Sequence, residues 1–153
     1  MINPSPDISH SVSSLLEAPA AFAFSFMADP IALGGWSLGC MNTQPTGNGA
    51  VHTGFSLFDG RQAYFEIDAD PERMIIDYRL GVPGRMEPRI SARVLSADVC
   101  GLRPDQCYVT LTAWRTKAMD DARWHGLCVT HEAEILLIKS QCERAWRTTG
   151  TSG

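Results

Sequence analysis

From Val51 to Trp114 apolar and polar residues alternate in short runs broken by Gly, Pro, Asn and Asp, and from about Met119 to Trp146 the apolar repeat lengthens to steps of three and four. Alternation places one set of side chains on each face of a strand, whereas the longer repeat lays a stripe along one side of a helix. Phe65, Ile67 and Ala69 oppose Tyr64, Glu66 and Asp68; Ile76 and Tyr78 oppose Asp77 and Arg79. Ile90, Ala92 and Val94 oppose Arg89, Ser91 and Arg93; Val109, Leu111 and Ala113 oppose Tyr108, Thr110 and Thr112. Each strand therefore has one apolar and one solvated face. Arg79, Arg89 and Arg93 fall on the solvated side, where they read as a cross-strand charge array with Asp77, Glu66 or Asp68. In the helix the stripe comprises Trp124, Leu127, Cys128, His131, Ile135, Ile138, Cys142 and Trp146. Thr130, Ala133, Ser140, Arg144 and Arg147 form its reverse, with Leu137 the one apolar residue out of place.

Turn chemistry divides the rest. His10 to Ala18 reads as a first strand stopped by Pro19, a residue suited to a helix's first turn. Ala20 to Met27 carries Phe22 and Phe26 one turn apart, and Asp29-Pro30 opens a second short helix anchored by Leu33 and Trp36 and limited by Gly34-Gly35. A strand near residues 37–44 is separated from Val51–Phe58 by Gly47-Asn48-Gly49, whose exposed amides read as a hairpin turn before an anion nest. Asp59-Gly60 predicts a two-residue hairpin, and Asp70-Pro71-Glu72-Arg73 and Gly81-Val82-Pro83-Gly84 two further reversals. These spacings describe an antiparallel meander in one domain, residues 1–147, followed by a tail at 148–153 with nothing to bury. A sheet with one apolar face needs a cover, and only the C-terminal helix is long enough to supply it. A curved sheet gripping a helix often encloses a cavity.

The 153 residues suffice for one stable core without metal or disulfide, and 44% hydrophobic and 20% charged residues are ordinary for a soluble protein. No apolar run nears the ~18 residues of a membrane span, so no membrane insertion is expected. A formal net charge of −4 with scattered arginines argues against nucleic acid. The N-terminus has neither the basic nor the apolar segment of a secretory signal, so the expected location is cytoplasmic. Cys40, Cys100, Cys107, Cys128 and Cys142 are odd in number and lack CxxC spacing, as suits reduced thiols; Cys100 and Cys107 alone flank one turn and could pair.

Leu16-Glu17-Ala18-Pro19-Ala20 leading into Phe22–Phe26, Ala28-Asp29-Pro30 running to Trp36, Gly47-Asn48-Gly49-Ala50, and Tyr108-Val109-Thr110-Leu111-Thr112 before Trp124 and a helix closing on Glu143 follow one another in an order that resembles the START/polyketide-cyclase/birch-pollen-allergen superfamily, SRPBCC. The likeness spans about residues 8–147. It implies an α+β helix-grip fold: a curved seven-stranded antiparallel sheet around a long C-terminal helix, with two short helices between strands 1 and 2. Members bind lipids, sterols, hormones or polyketides, and some are cyclases, dehydratases or oxygenase components; fold alone does not choose among these. No paired Cys-His pattern of a Rieske centre occurs.

The polar interruption of the stripe, His131, is the candidate for chemistry: an imidazole between helix and sheet could transfer a proton or orient a ligand, or be a core histidine bonded to a neighbouring hydroxyl or carbonyl. Cys128 lies one turn before it, a thiol–imidazole spacing, yet a buried thiol also packs as a small hydrophobe and no oxyanion donor is assignable. His125, Cys128, His131, Glu132 and Glu134 do not match a metal-binding spacing, so neither metal nor cofactor is expected. Tyr78 needs a partner for its hydroxyl, and Trp36 and Trp124 could gate a cavity or simply fill core. The expected ligand wall is Phe65, Ile67, Ile76, Tyr78, Ile90, Leu111, Trp124, Cys128 and His131, an apolar pocket with polar anchors. It predicts binding of a small hydrophobic or amphipathic molecule. The alternatives are a cyclase- or dehydratase-like enzyme using His131 as acid and base, and a filled core with a surface function in which Leu137 makes contact. Monomer and homodimer are both compatible with the sequence.

Overall fold

The computed structural model describes residues 7–150. Strand β1 (Ser9–Leu16) leads into helices α1 (Ala20–Met27) and α2 (Pro30–Leu33), then strands β2 (Met41–Pro45), β3 (His52–Phe55), β4 (Gln62–Asp70), β5 (Ile75–Val82) and β6 (Arg85–Ser96). Helix α3 (Ala97–Cys100), strand β7 (Cys107–Trp114) and helix α4 (Asp121–Gly150) complete the chain. The strands form one seven-stranded sheet in the order β1-β7-β6-β5-β4-β3-β2, antiparallel throughout. This is the expected α+β helix-grip architecture. Among the described residues no helix is long and apolar enough to cross a membrane.

Local chemistry sets the boundaries. The Asp29 carboxylate accepts from the Ile31 and Ala32 amides at 2.9 and 3.4 Å, capping α2, with Pro30 in its first turn. The strand expected near residues 37–44 begins only at Met41, because the Ser37 and Cys40 amides are spent on Leu33 and Ser37 carbonyls in closing turns. The Asp59-Gly60 connection is also wider than a two-residue hairpin. Ser56 and Arg61 close it, while the Leu57 amide donates to the Leu38 carbonyl at 2.8 Å and ties the loop to the segment after α2. Cys100 ends α3, with Gly101 beyond it in the left-handed region at φ 69°, so Cys100 is exposed, Cys107 is buried, and both thiols are free. The last helix starts two residues later than expected and runs on through Thr148 and Thr149 to Gly150, their hydroxyls bonding back to Arg144 and Trp146 carbonyls; residues 151–153 lie outside the described part.

The core fills the concave side. Leu16, Met27, Phe65, Ile76, Val109, Leu111 and Ile138 are essentially inaccessible, together with Cys107 and Cys142. A smaller cluster of Ala113, Met119 and Trp124 caps the other end, with Ile90, Leu127 and Cys128 against it. Leu137, expected on the helix's outer side, packs against the main core; Leu136 is the exposed leucine, at 64%. The stripe drifts because 3.6 residues per turn carries Leu137 inward, between Glu134 and Ile138. A polar clip pins this half of α4 to the sheet. Lys139 Nζ donates to the Leu15 carbonyl at 2.9 Å and to Glu143 Oε2 at 2.6 Å, and the same carboxylate oxygen accepts from the Glu17 amide at 2.8 Å.

Two glycines give opposite expectations. A Cβ on Gly54 would lie 2.7 Å from the Met41 carbonyl oxygen and 2.8 Å from Cys40 Sγ, whereas one on Gly126 meets nothing within 4 Å. Gly54→Ala is expected to destabilise by about 1–3 kcal/mol through overpacking of β2 on β3. Gly126→Ala is expected to stabilise by up to about 1 kcal/mol through helix propensity. Urea unfolding midpoints of the two variants against the parent protein test this, and equal shifts would contradict the close strand packing.

Candidate functional site

The two halves of α4 meet the sheet differently. Ile135, Ile138 and Cys142 are embedded in the main core, while Arg123, Gly126, Leu127, Thr130, His131 and Glu134 line a cavity of about 600 Å³. Across from them stand Ala63 of β4, Leu80 of β5, and Arg89 and Ile90 of β6. Ser37 and Gly39 after α2 complete the rim with Ser56, Phe58, Asp59 and Arg61 of the β3–β4 loop, which the Leu57–Leu38 hydrogen bond holds in place. A more open depression of about 660 Å³ lies outside, against Asp7, Ile8, Arg115, Asp121, Trp124 and His125.

At the inner wall His131 and Glu134, one turn apart, are 1% and 5% exposed. Neither ring nitrogen of His131 has a hydrogen-bond partner among the described residues, and burial, helped by nearby His10, pulls its pKa down to about 4. Burial pushes the Glu134 carboxyl up to about 8. Near neutral pH the imidazole is therefore uncharged and the carboxyl mostly protonated. Behind them the Tyr78 hydroxyl donates to the Met27 carbonyl at 2.6 Å, and the Trp36 ring meets Tyr78 edge-on at 5.8 Å. Burial, with Glu134 adding to it, pushes the Tyr78 phenol upward.

The rim is cationic. Arg79 stands opposite Glu66 in the β4–β5 register, though its guanidinium donates to the Met86 carbonyl at 3.3 Å, and exposed Arg93 lies between Ile75 and Thr110, so among the described residues neither forms the expected cross-strand ion pair. The solvent-side placement itself fails for Arg89. Tyr78 pairs with Ile90 but Arg79 pairs with Pro88, so Arg89 is the extra residue of a β-bulge, and the bulge turns its side chain to the cavity. Burial, then repulsion from Arg123, lowers the Arg89 pKa, with Glu87 opposing. Arg61 is answered locally by Asp59, whose carboxylate accepts from the Arg61 amide at 2.9 Å and lies 3.8 Å from its Nε.

Of the residues expected to form the ligand wall, Ile90 and His131 line the cavity. Phe65, Ile76, Tyr78 and Leu111 are buried in the main core, and Ile67 packs on its edge. Trp124 belongs to the smaller cluster with Cys128 beside it, and the outer depression reaches Trp124. Burial raises the Cys128 thiol, with Asp7 and Glu132 adding to it, which disfavours the thiolate a nucleophile needs. Among the described residues no cluster of three His, Cys, Asp or Glu is arranged to hold a metal ion. Glu134, weighed only as a metal ligand, and Arg89, read as part of a solvated array, were not part of the expected ligand wall. Glu134 shares the helical phase of His131 and Ile138, a usable signal; the bulge that turns Arg89 leaves no mark in the alternation.

No protein-family model matches the chain, and no curated protein matches it. Solved structures do. A Zhui aromatase/cyclase from a Streptomyces species superposes with a TM-score of 0.65 at 18% identity, covering 89% of this chain and 93% of its own. The Aha1 dimer from Colwellia psychrerythraea gives 0.63 at 15%, covering 89% and 96%. A START superfamily protein from Mycobacterium smegmatis gives 0.58 at 10%, covering 93% and 99%. At these identities the likeness speaks for fold alone, and the fold shared with them is the curved antiparallel sheet gripping a long C-terminal helix.

Proposed function

We propose that the protein binds a hydrophobic or amphipathic small molecule, lipid- or polyketide-like, in the cavity between the sheet and the N-terminal half of α4. The observation that carries this is His131: a neutral imidazole on the wall of a cavity of about 600 Å³, both nitrogens buried and without a hydrogen-bond partner among the described residues. Leaving such a group unpaired costs about 1–3 kcal/mol, a cost that a ligand hydroxyl or carbonyl offsets. The volume falls within the ~300–1,000 Å³ of small-molecule sites, so a filled interior with a purely surface role has less support. Leu80, Ile90 and Leu127 supply apolar contact, His131 and Glu134 uncharged polar anchors, and Phe65, Ile76, Tyr78 and Leu111 stiffen the wall behind them. A reducing, cytoplasmic setting suits the free thiols, Cys100 among them exposed.

Acid–base chemistry on the bound molecule, as in a cyclase or dehydratase, is a second reading. It is favoured by an acid kept protonated beside a base kept neutral, opposite displacements within one turn of helix. Turnover of a poly-β-ketone substrate that His131→Ala abolishes without weakening binding would select it.

The protonation states also couple the site to stability. The Glu134 pKa is raised from 4.5 to about 8, so its folded form holds the proton more tightly and stability falls as pH rises through that window. The His131 pKa is lowered from 6.5 to about 4, so the folded form resists protonation and stability falls as pH drops through its window. Between about 4.5 and 6.5 the two effects oppose each other; from 6.5 to about 8 Glu134 acts alone.

Native mass spectrometry of the protein with long-chain fatty acids, sterols and aromatic polyketides is expected to show one-to-one complexes with at least one class; binding of none would refute the reading. Ala63→Trp, which fills the cavity, is expected to weaken that binding about tenfold or more while the circular dichroism spectrum is kept. Unfolding free energy is expected to fall by roughly 2 kcal/mol between pH 6.5 and 8, about 1.4 kcal/mol for each pH unit, and Glu134→Gln to flatten that fall. An unchanged slope in the variant would place the titration elsewhere.

A further inference from the structure

The cationic rim is the feature that binding of a purely apolar molecule leaves unused. Arg89 and Arg123 both line the cavity and repel one another, and among the described residues neither side chain forms an ion pair. Arg89 Nε is buried with no acceptor among the described residues. Like charges gathered at a half-buried site are unfavourable unless something neutralises them. The nearby carboxyl groups do not do so: Asp59 is engaged by Arg61, Glu134 is mostly protonated, Asp120 accepts from the Arg123 backbone amide at 2.8 Å and forms no ion pair with its guanidinium, and Glu87 offsets only part of the strain on Arg89. Nor is the positive charge a general property, since the whole chain carries −4. A β-bulge is what brings Arg89 to this position; regular alternation would have sent it to solvent.

We propose that the cavity's ligand is an anionic amphiphile, its carboxylate or phosphate held at the rim by Arg89 and Arg123 and its apolar chain lying inward along Leu80, Ile90 and Leu127. The assignment rests on the cavity being a ligand site and adds the charge and orientation of what it takes. Guanidinium groups bind such oxyanions through paired hydrogen bonds, and a partly buried setting strengthens them. The uncharged inner wall at His131 and Glu134 accommodates chain or hydroxyl but no second charge, so the head group is fixed at the mouth.

Binding of hexadecanoate, hexadecyl phosphate and hexadecan-1-ol to the full-length protein, measured by calorimetric titration in low and high salt, tests this. At least one of the two anions is expected to bind about tenfold or more tightly than the alcohol at low salt, with the margin shrinking at high salt; which anion leads identifies the head group. Arg89→Gln and Arg123→Gln are each expected to remove most of that margin. Arg93→Gln, which alters net charge equally on the outer face of the same strand, is expected to keep it. Equal binding of alcohol and anions would overturn the anion site while leaving the hydrophobic-ligand reading standing, and binding of none would overturn both. Loss of the margin in Arg93→Gln to the same extent would trace it to overall charge and likewise overturn the site.

Discussion

Helix α4 buries its apolar stripe in two separate core clusters. Its C-terminal half belongs to the larger: Ile135, Ile138 and Cys142 enter the core, and Lys139 and Glu143 grip the end of β1 at the Leu15 carbonyl and Glu17 amide. Its N-terminal half rests on the small cluster of Ala113, Met119 and Trp124. Along this half Arg123, Gly126, Leu127, Thr130, His131 and Glu134 border open volume. The cavity, the desolvation of the groups along it, and the placement of its mouth all follow from this two-point attachment.

Desolvation then sorts the polar groups by depth. Where water is excluded, the neutral form of each titratable group is favoured, which moves His131 and Glu134 in opposite pKa directions with one outcome, an uncharged inner wall. Towards the rim, solvent supports charge, and guanidinium groups persist there. A gradient from neutral interior to cationic mouth is suited to a molecule with an apolar body and one anionic end. The β3–β4 loop helps define that mouth because its backbone is bonded to the segment after α2, so Phe58, Asp59 and Arg61 are held where they border the opening.

The structural relatives include an aromatase/cyclase and a START protein. At 18% and 10% identity they share a backbone plan with this chain and few side chains. What the protein accommodates must therefore be argued from its own cavity wall. There the unpartnered imidazole, the protonated carboxyl and the paired arginines are more informative than the fold.

Alternation and the long stripe determined the strands, the closing helix and its buried face, because burying one side of each element is a local property of sequence. His131 was legible for that reason, as was Ile90 on the apolar side of its strand. Glu134 carried the same phase but was weighed only as a metal ligand and set aside for its spacing, since its protonation depends on a burial that only packing creates. Tyr78 read as a ligand anchor until the fold brought the Met27 carbonyl within 2.6 Å of its hydroxyl. Arg89 was beyond the pattern altogether: one unpaired residue in β6 reverses its facing, and the register of two strands is set by their partners, not by either strand alone. The sequence determined which faces are buried; where burial stops short, leaving a cavity with arginines at its mouth, was decided by how the sheet and the closing helix come together.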